Sequence, residues 1–245
     1  MSGPVLEIGN LTKRFGGFVA LDGVDLAVFP GERLGLIGPN GSGKSTLVNC
    51  ITGVLRHEHG SIRFDGRDLS GLQPHRRTRL GLARSFQIPK PFASMSVLDN
   101  LLVPLFYAAQ AHDHKARHAG EAAEEARQIL RQIGLADKAE QPSASLTQAE
   151  MRKLELARAI AARPKLLIAD EAMAGLSSTE VDEILDILLD MKARGIAVIM
   201  IEHIMRAMMR FSERVAVLVV GRKIADGDPE AVMRNPEVEK AYLGE

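Results

Sequence analysis

The stretch "RLGLIGPNGSGKSTLVNCITGVL" (33–55) decides the fold. "RLGLI" (33–37) is a short apolar run and reads as a buried strand, while "STLVNCITGVL" (45–55) reads as a helix. Between them, "GPNGSGKS" (38–45) fits the spacing G-x-x-x-x-G-K-[ST], in the strand–loop–helix context that gives the motif its meaning. Gly38, Gly41 and Gly43 let the backbone fold with its N–H groups converging on phosphate oxygens. The helix that follows adds the positive end of its dipole. Lys44 offers a point charge to the β- and γ-phosphates, and the Ser45 hydroxyl can bind Mg²⁺. The expected phosphate grip is Gly38, Pro39, Asn40, Gly41, Ser42, Gly43, Lys44, Ser45 and Thr46.

"KLLIADE" (165–171) supplies a second half, an apolar strand ending in two carboxylates. Asp170 can hold Mg²⁺, and Glu171 can orient and polarise an attacking water. No N-K-x-D guanine reader is present, which argues against a GTPase, and no acceptor site or lid of a small-molecule kinase is identifiable. Upstream, "VLEIGNLTKRF" (5–15), "VDLAVF" (24–29) and "SIRFDG" (61–66) are short β-type runs cut by Gly and Pro. "LARSF" (82–86) looks like a further strand. A helical middle follows, its "SVLDNLLVPLFYAAQ" (96–110) interrupted by Pro104. Beyond Pro164 the strands "KLLIAD" (165–170), "IAVIMI" (196–201) and "RVAVLVV" (214–220) alternate with helical segments around 179–193 and 203–211. Such alternation implies a parallel sheet covered by helices. The expectation is an α/β fold: a P-loop NTPase core with a mainly parallel sheet, an N-terminal antiparallel β part and a helical insertion.

Bulk properties agree with a globular ATP-binding domain. Of 245 residues, 46% are hydrophobic and 25% charged, and Lys+Arg equals Asp+Glu at 31 each. A net charge of zero gives no reason to expect nucleic acid. The single cysteine, Cys50, excludes a disulfide within the chain and suits a reducing compartment. No apolar run approaches the roughly 18 residues of a membrane span.

With these motifs in this order, the sequence resembles an ABC-type ATPase, the nucleotide-binding subunit of a transporter, over nearly its whole length. The resemblance implies that Phe15, in "KRFGG" (13–17), stacks on adenine. It makes Gln87, in "SFQ" (85–87), a sensor of Mg²⁺ and water, and His203, in "IMIEHIM" (199–205), the γ-phosphate contact. "LTQAE" (146–150) stands where the family's L-S-G-G-Q signature belongs, at the start of a helix that Thr147 and Glu150 can close as a capping box. In that family two ATPase subunits pack head to tail, so Leu146, Thr147, Gln148, Ala149 and Glu150 are expected to face the ATP of the other subunit. Gln148 and Ala149 replace both glycines, and Glu150 brings a negative charge toward polyphosphate. In the following loop Ala172 replaces a usual Pro, and Ser177 stands where Asp is frequent.

A narrower resemblance concerns the larger, LivG-type ATPase subunit of branched-chain amino acid importers. It is carried by "ARSFQIPKPFASMSVLDNLLV" (83–103), "DEAMAGLSSTEV" (170–181) and the tail "NPEVEKAYLGE" (235–245). It implies an ATP- and Mg²⁺-dependent hydrolase on the cytoplasmic face of the inner membrane. Its partners would be a second ATPase subunit, transmembrane permeases and, indirectly, a periplasmic binding protein, with branched-chain or related amino acids, amides or urea as cargo. One ABC domain over 1–245 is expected: core 1–87 and 164–235, insertion 88–163, tail 236–245. The alternatives are the ATPase of a lipopolysaccharide-type exporter, a soluble ABC ATPase acting in assembly, and a low-turnover nucleotide-binding regulatory subunit.

Overall fold

A computed structural model describes residues 3–85, 90–107 and 119–243. The chain opens with an antiparallel hairpin, β1 (Leu6–Phe15) and β2 (Phe18–Val28), before entering the central strand β3 (Arg33–Ile37). Helix α1 (Lys44–Thr52) follows the phosphate loop, and β4 (His59–Phe64) and β5 (Arg67–Asp68) return to the hairpin. Together they form a four-stranded antiparallel sheet in the order β2-β1-β4-β5. A short helix α2 (Pro74–Arg79) leads into β6 (Leu82–Ser85). Three helices come next, α3 (Val97–Tyr107), α4 (Ala119–Gln132) and α5 (Gln148–Ala161), packed on one another. The second half alternates β7 (Leu166–Asp170), α6 (Ser178–Asp190), β8 (Ala197–Ile201), α7 (Met205–Phe211) and β9 (Arg214–Val219), then ends in β10 (Arg222–Gly227), α8 (Pro229–Met233) and α9 (Pro236–Leu243).

The larger sheet has six strands in the order β10-β9-β3-β8-β7-β6. All neighbours are parallel except the edge strand β10, which pairs antiparallel with β9. Both faces of this sheet are covered, which explains why β7 and β8 are unbroken apolar runs with every residue buried. Alternation along the strands divides the interior in two. Leu166 and Ile168 join Leu47, Ile51, Ile62 and Phe64 under α1 and the antiparallel sheet. Leu167 and Ala169 instead join Leu101, Leu130, Leu156 and Ile184 beneath the helices. The carboxyl ends of β7 and β8 and the loop after β3 therefore emerge together, where ligands bind in open α/β sheets.

Pro104 does not interrupt its helix, contrary to the sequence expectation: α3 runs through it from Val97 to Tyr107. An interior proline costs about 3 kcal/mol. The buried side chains Leu98, Leu101 and Leu105 hold the segment helical regardless. Asn100 is also fully buried, and its amide binds the Phe92 and Ser96 carbonyls, tying the start of α3 to the preceding loop. Five short elements, β5, α2, β10, α8 and α9, have no counterpart in the sequence reading. Each is too short for a periodic pattern to register, although Asp228 capping α8 with Pro229 at its first position is a local helix-start signal.

Candidate active site

The phosphate loop takes a shape that only glycine permits at two points. Gly38 has φ 149°, and a Cβ there would lie 2.0 Å from the Leu218 carbonyl oxygen. Gly43 has φ 107°, and its Cβ would meet the Ala20 carbonyl oxygen at 2.7 Å. Backbone packing on both sides thus fixes the loop before any ligand arrives, and a hydrogen bond from Gly221 N–H to the Ser42 carbonyl (2.9 Å) fastens it to the β9–β10 turn. Lys44 Nζ curls back to donate to the carbonyls of Gly38 (2.7 Å) and Pro39 (3.1 Å). Burial lowers the pKa of the Lys44 ammonium, while Glu171 and Asp170 pull it up. Helix α1 starts at Gly43 with no side-chain cap and no acidic residue in its first turn. Its first N–H groups are left for an anion.

Facing the loop are the ends of β7 and β8. Glu171 adopts a positive φ of 50°, uncommon for a residue with a side chain, and its N–H donates to the Ile201 carbonyl (2.9 Å). This bend places its carboxylate Oε1 at 3.4 Å from His203 Nε2, from the end of β8. Asp170 is buried one residue behind. Its Oδ2 accepts from an Arg84 guanidinium nitrogen at 2.6 Å, and Arg84 also donates to Asn49 Oδ1 on α1 at 2.8 Å. Phe15, on the β1–β2 hairpin, is half exposed, with Lys13 Nζ 5.0 Å from its ring centre.

Phe15, Asn40, Gly41, Ser42, Gly43, Lys44, Ser45, Thr46, Glu171 and His203 line one cleft of about 250 Å³. Gly38, Pro39 and Asp170 lie outside its wall, and Gln87 falls outside the described residues. Two contributors escaped sequence reasoning. Phe18 pairs with Phe15 across the hairpin and lines the same cleft while 60% exposed; a lone aromatic just past "FGG" was the available signal. Glu202 is buried beside His203, and its Oε1 accepts from Met173 N–H at 2.8 Å, pinning the segment that follows Glu171. Burial raises the Glu202 carboxyl pKa. An acid ending the apolar run "IMIE" (199–202) marked it.

The expected signature, Leu146 to Glu150, lines no part of this cleft. Thr147 is the N-cap of α5, its side chain accepting from Glu150 N–H while Glu150 Oε2 accepts from Thr147 N–H (2.9 Å). Ala149 is buried, Leu146 packs on the core, and the Gln148 amide lies against Gly175 in the loop after Glu171. Glu150 has a counter-ion within the chain: Lys138 Nζ sits 2.5 Å from its Oε1. The hydrogen bond from Lys138 holds the Glu150 pKa below its ordinary value. Residue 138 lies in a separate turn 12 positions upstream, so local sequence did not reveal the pair.

Comparisons with known proteins identify the family and the fold. Residues 21–174 match the ABC transporter family, and residues 222–245 match the branched-chain amino acid ATP-binding cassette transporter family. The chain is 38% identical, over the full length of both proteins, to the high-affinity branched-chain amino acid transport ATP-binding protein BraF of Pseudomonas aeruginosa. It is 36% identical, again over both full lengths, to the corresponding LivG protein of Escherichia coli K12. Among solved structures, a nucleotide-free ATP-binding cassette from an ABC transporter superimposes with a TM-score of 0.87 at 32% identity, covering 99% of this chain and 100% of that one. An ATP-binding cassette of an ABC transporter in its ADP conformation gives 0.87 at 33% identity, covering 99% of each. The chain belongs to the family of ABC transporter ATP-binding proteins, on the branch that holds the BraF and LivG subunits.

Proposed function

We propose that the chain is the ATP-hydrolysing subunit of an importer for branched-chain or related amino acids. The observation that carries this reading is the convergence of the phosphate loop, Glu171, His203 and Phe15 on one cleft. Lys44 and the loop N–H groups hold the phosphates, Phe15 stacks on the base, Glu171 orients the attacking water and His203 steadies the γ-phosphate. Base–aromatic stacking supplies about 1–3 kcal/mol. Among the described residues no cluster of three His, Cys, Asp or Glu could hold a metal alone. A serine hydroxyl and a carboxylate beside a phosphate site instead fit Mg²⁺, which takes most of its ligands from phosphate and water. Ser45, Asp170 and Gln87 would hold it, and it would neutralise charge on the transferring phosphoryl group. Leu146, Thr147, Gln148, Ala149 and Glu150 would meet the ATP of a second subunit.

Among the described residues no helix is long and apolar enough to cross a membrane, so transport needs permease partners. An apolar groove of about 360 Å³, walled by Val54, Pro74, Pro104, Tyr107 and Ala159, lies between α1, α2, α3 and α5 and suits a permease segment. The subunit would then sit peripherally at the cytoplasmic face of the inner membrane, served by a periplasmic binding protein. The names of its relatives support amino acid cargo over a lipopolysaccharide-type exporter or a soluble assembly factor. The test is co-expression with candidate permease chains and reconstitution in lipid. ATPase activity stimulated by a binding protein loaded with a branched-chain amino acid is expected. Co-purification with no permease, or stimulation by no amino acid, would overturn the reading.

A further inference from the structure

One side chain links the groove to the end of the strand that leads to Glu171 in the nucleotide cleft. Arg84, on β6, lines the groove, and its guanidinium continues inward to Asp170 at the end of β7 and Asn49 in α1. Both bonds are short, 2.6 and 2.8 Å, and the Arg84 and Asp170 side chains are only 15% and 11% exposed. The planar fork of a guanidinium suits this double attachment, because its nitrogens address two acceptors in fixed relative geometry. Three elements that need not move together are thereby joined: the groove floor, the helix behind the phosphate loop, and the strand that ends in Asp170 and leads to Glu171. Two further walls of the groove belong to α3 and α5, including Pro104, Tyr107, Glu155 and Arg158. A segment entering the groove would bear on the helices and on Arg84 at once.

We propose that Arg84 is a positioning residue that transmits occupancy of the groove to the Asp170 carboxylate. The inference rests on the reading that the groove seats a permease segment and that Asp170 serves the metal. In the subunit alone Arg84 already holds Asp170 and α1 in one arrangement through both short bonds. A segment entering the groove bears on Arg84 and resets the relation of the carboxylate to the phosphate loop. Arg84→Lys keeps the charge, but a single ammonium on a flexible stem lacks the fork. Asn49→Ala removes the other end of the bridge without touching Asp170.

The experiment uses the assembled complex and the isolated subunit. In the complex, both variants are expected to lower the ratio of stimulated to unstimulated ATPase by about fivefold or more, the usual floor of allosteric coupling. In the isolated subunit, the Mg²⁺ concentration that half-saturates binding of a fluorescent ATP analogue should rise, while binding without metal and thermal stability stay near wild type. A purely structural role would instead lower the melting temperature and leave the Mg²⁺ dependence where it was, and that result overturns the proposal. Disulfide capture between Val54→Cys and a cysteine scanned along the permease loops tests the seat separately. Native Cys50 will not compete, because it is buried and its thiol is pushed up to about 11. If capture fails at every position, the seat reading falls and the coupling proposal falls with it. If capture succeeds while both variants keep full stimulation, Arg84 alone is refuted.

Discussion

Two helices of this chain begin where phosphate is expected, and they begin in opposite ways. Helix α1 has a left-handed glycine at its N-cap, no side-chain cap and no acid in its first turn. Helix α5 has a closed capping box, an acid at its third position and a lysine neutralising that acid. A helix end whose N–H groups are already satisfied gains little from an anion, whereas one left bare by its own sequence needs one. On the proposed reading, the first end is built around the chain's own nucleotide. The second is partly closed by its own side chains, with the Thr147 and Glu150 N–H groups already bonded, so it has fewer donors left for a partner's nucleotide. Stability and ligand affinity are therefore opposed at α1 and decoupled at α5.

The strongest way to break this contrast is at α1. Lys44→Ala is expected to cost about 2–5 kcal/mol of ATP binding, the usual penalty for truncating one partner of a close charge pair, read by calorimetry. Near-wild-type affinity would show that the bare helix end holds phosphate without the lysine. Glu171→Gln should slow turnover by about 10²–10⁴, as loss of a general base does, with binding intact. Hydrolysis at the wild-type rate would remove Glu171 from its assigned role.

Smaller effects sharpen the contrast from the other side. Gly43→Ala must accommodate a Cβ 2.7 Å from the Ala20 carbonyl at φ 107°, and should destabilise the apo subunit by about 1–3 kcal/mol while also weakening ATP binding. Thr147→Ala should cost about 1 kcal/mol of stability, the typical value of an N-cap, and leave ATP binding by the isolated subunit unchanged. If Thr147→Ala weakens that binding as Gly43→Ala does, the two helix ends are not independent.

Glu150→Gln should have the smallest effect, a few tenths of a kcal/mol, because partly exposed ion pairs contribute about 0–1. Its pH dependence carries the sign. The folded-state pKa of Glu150 lies below the ordinary 4.5, chiefly through the Lys138 hydrogen bond. The stabilisation it provides is complete above that ordinary value and is lost as pH falls through the lower, folded one. The variant should melt slightly below wild type near neutral pH and converge with it in acid. Lys138→Ala in the assembled complex should lower turnover, because it leaves the Glu150 charge bare toward the partner's ATP. Unchanged turnover would mean that this helix end does not meet phosphate.

What the sequence determined by itself was everything written at fixed local spacing. Gly38 to Thr46, the Asp170–Glu171 pair and the Thr147–Glu150 box each carry their geometry within a few residues, since turns, caps and strand ends depend on near neighbours. The strand–helix alternation after Pro164 likewise announced the parallel sheet, because strands buried on both faces must be continuously apolar. Only the tertiary structure could decide the pairings between distant segments. Arg84 reaches Asp170 across 86 residues because β6 lies beside β7 in the sheet. Lys138 finds Glu150, Glu202 pins Met173 and Phe18 joins Phe15 in the cleft for the same kind of reason. A charged side chain in a sequence shows what it could bind, but its partner is chosen by strand order and helix packing, which no local pattern encodes.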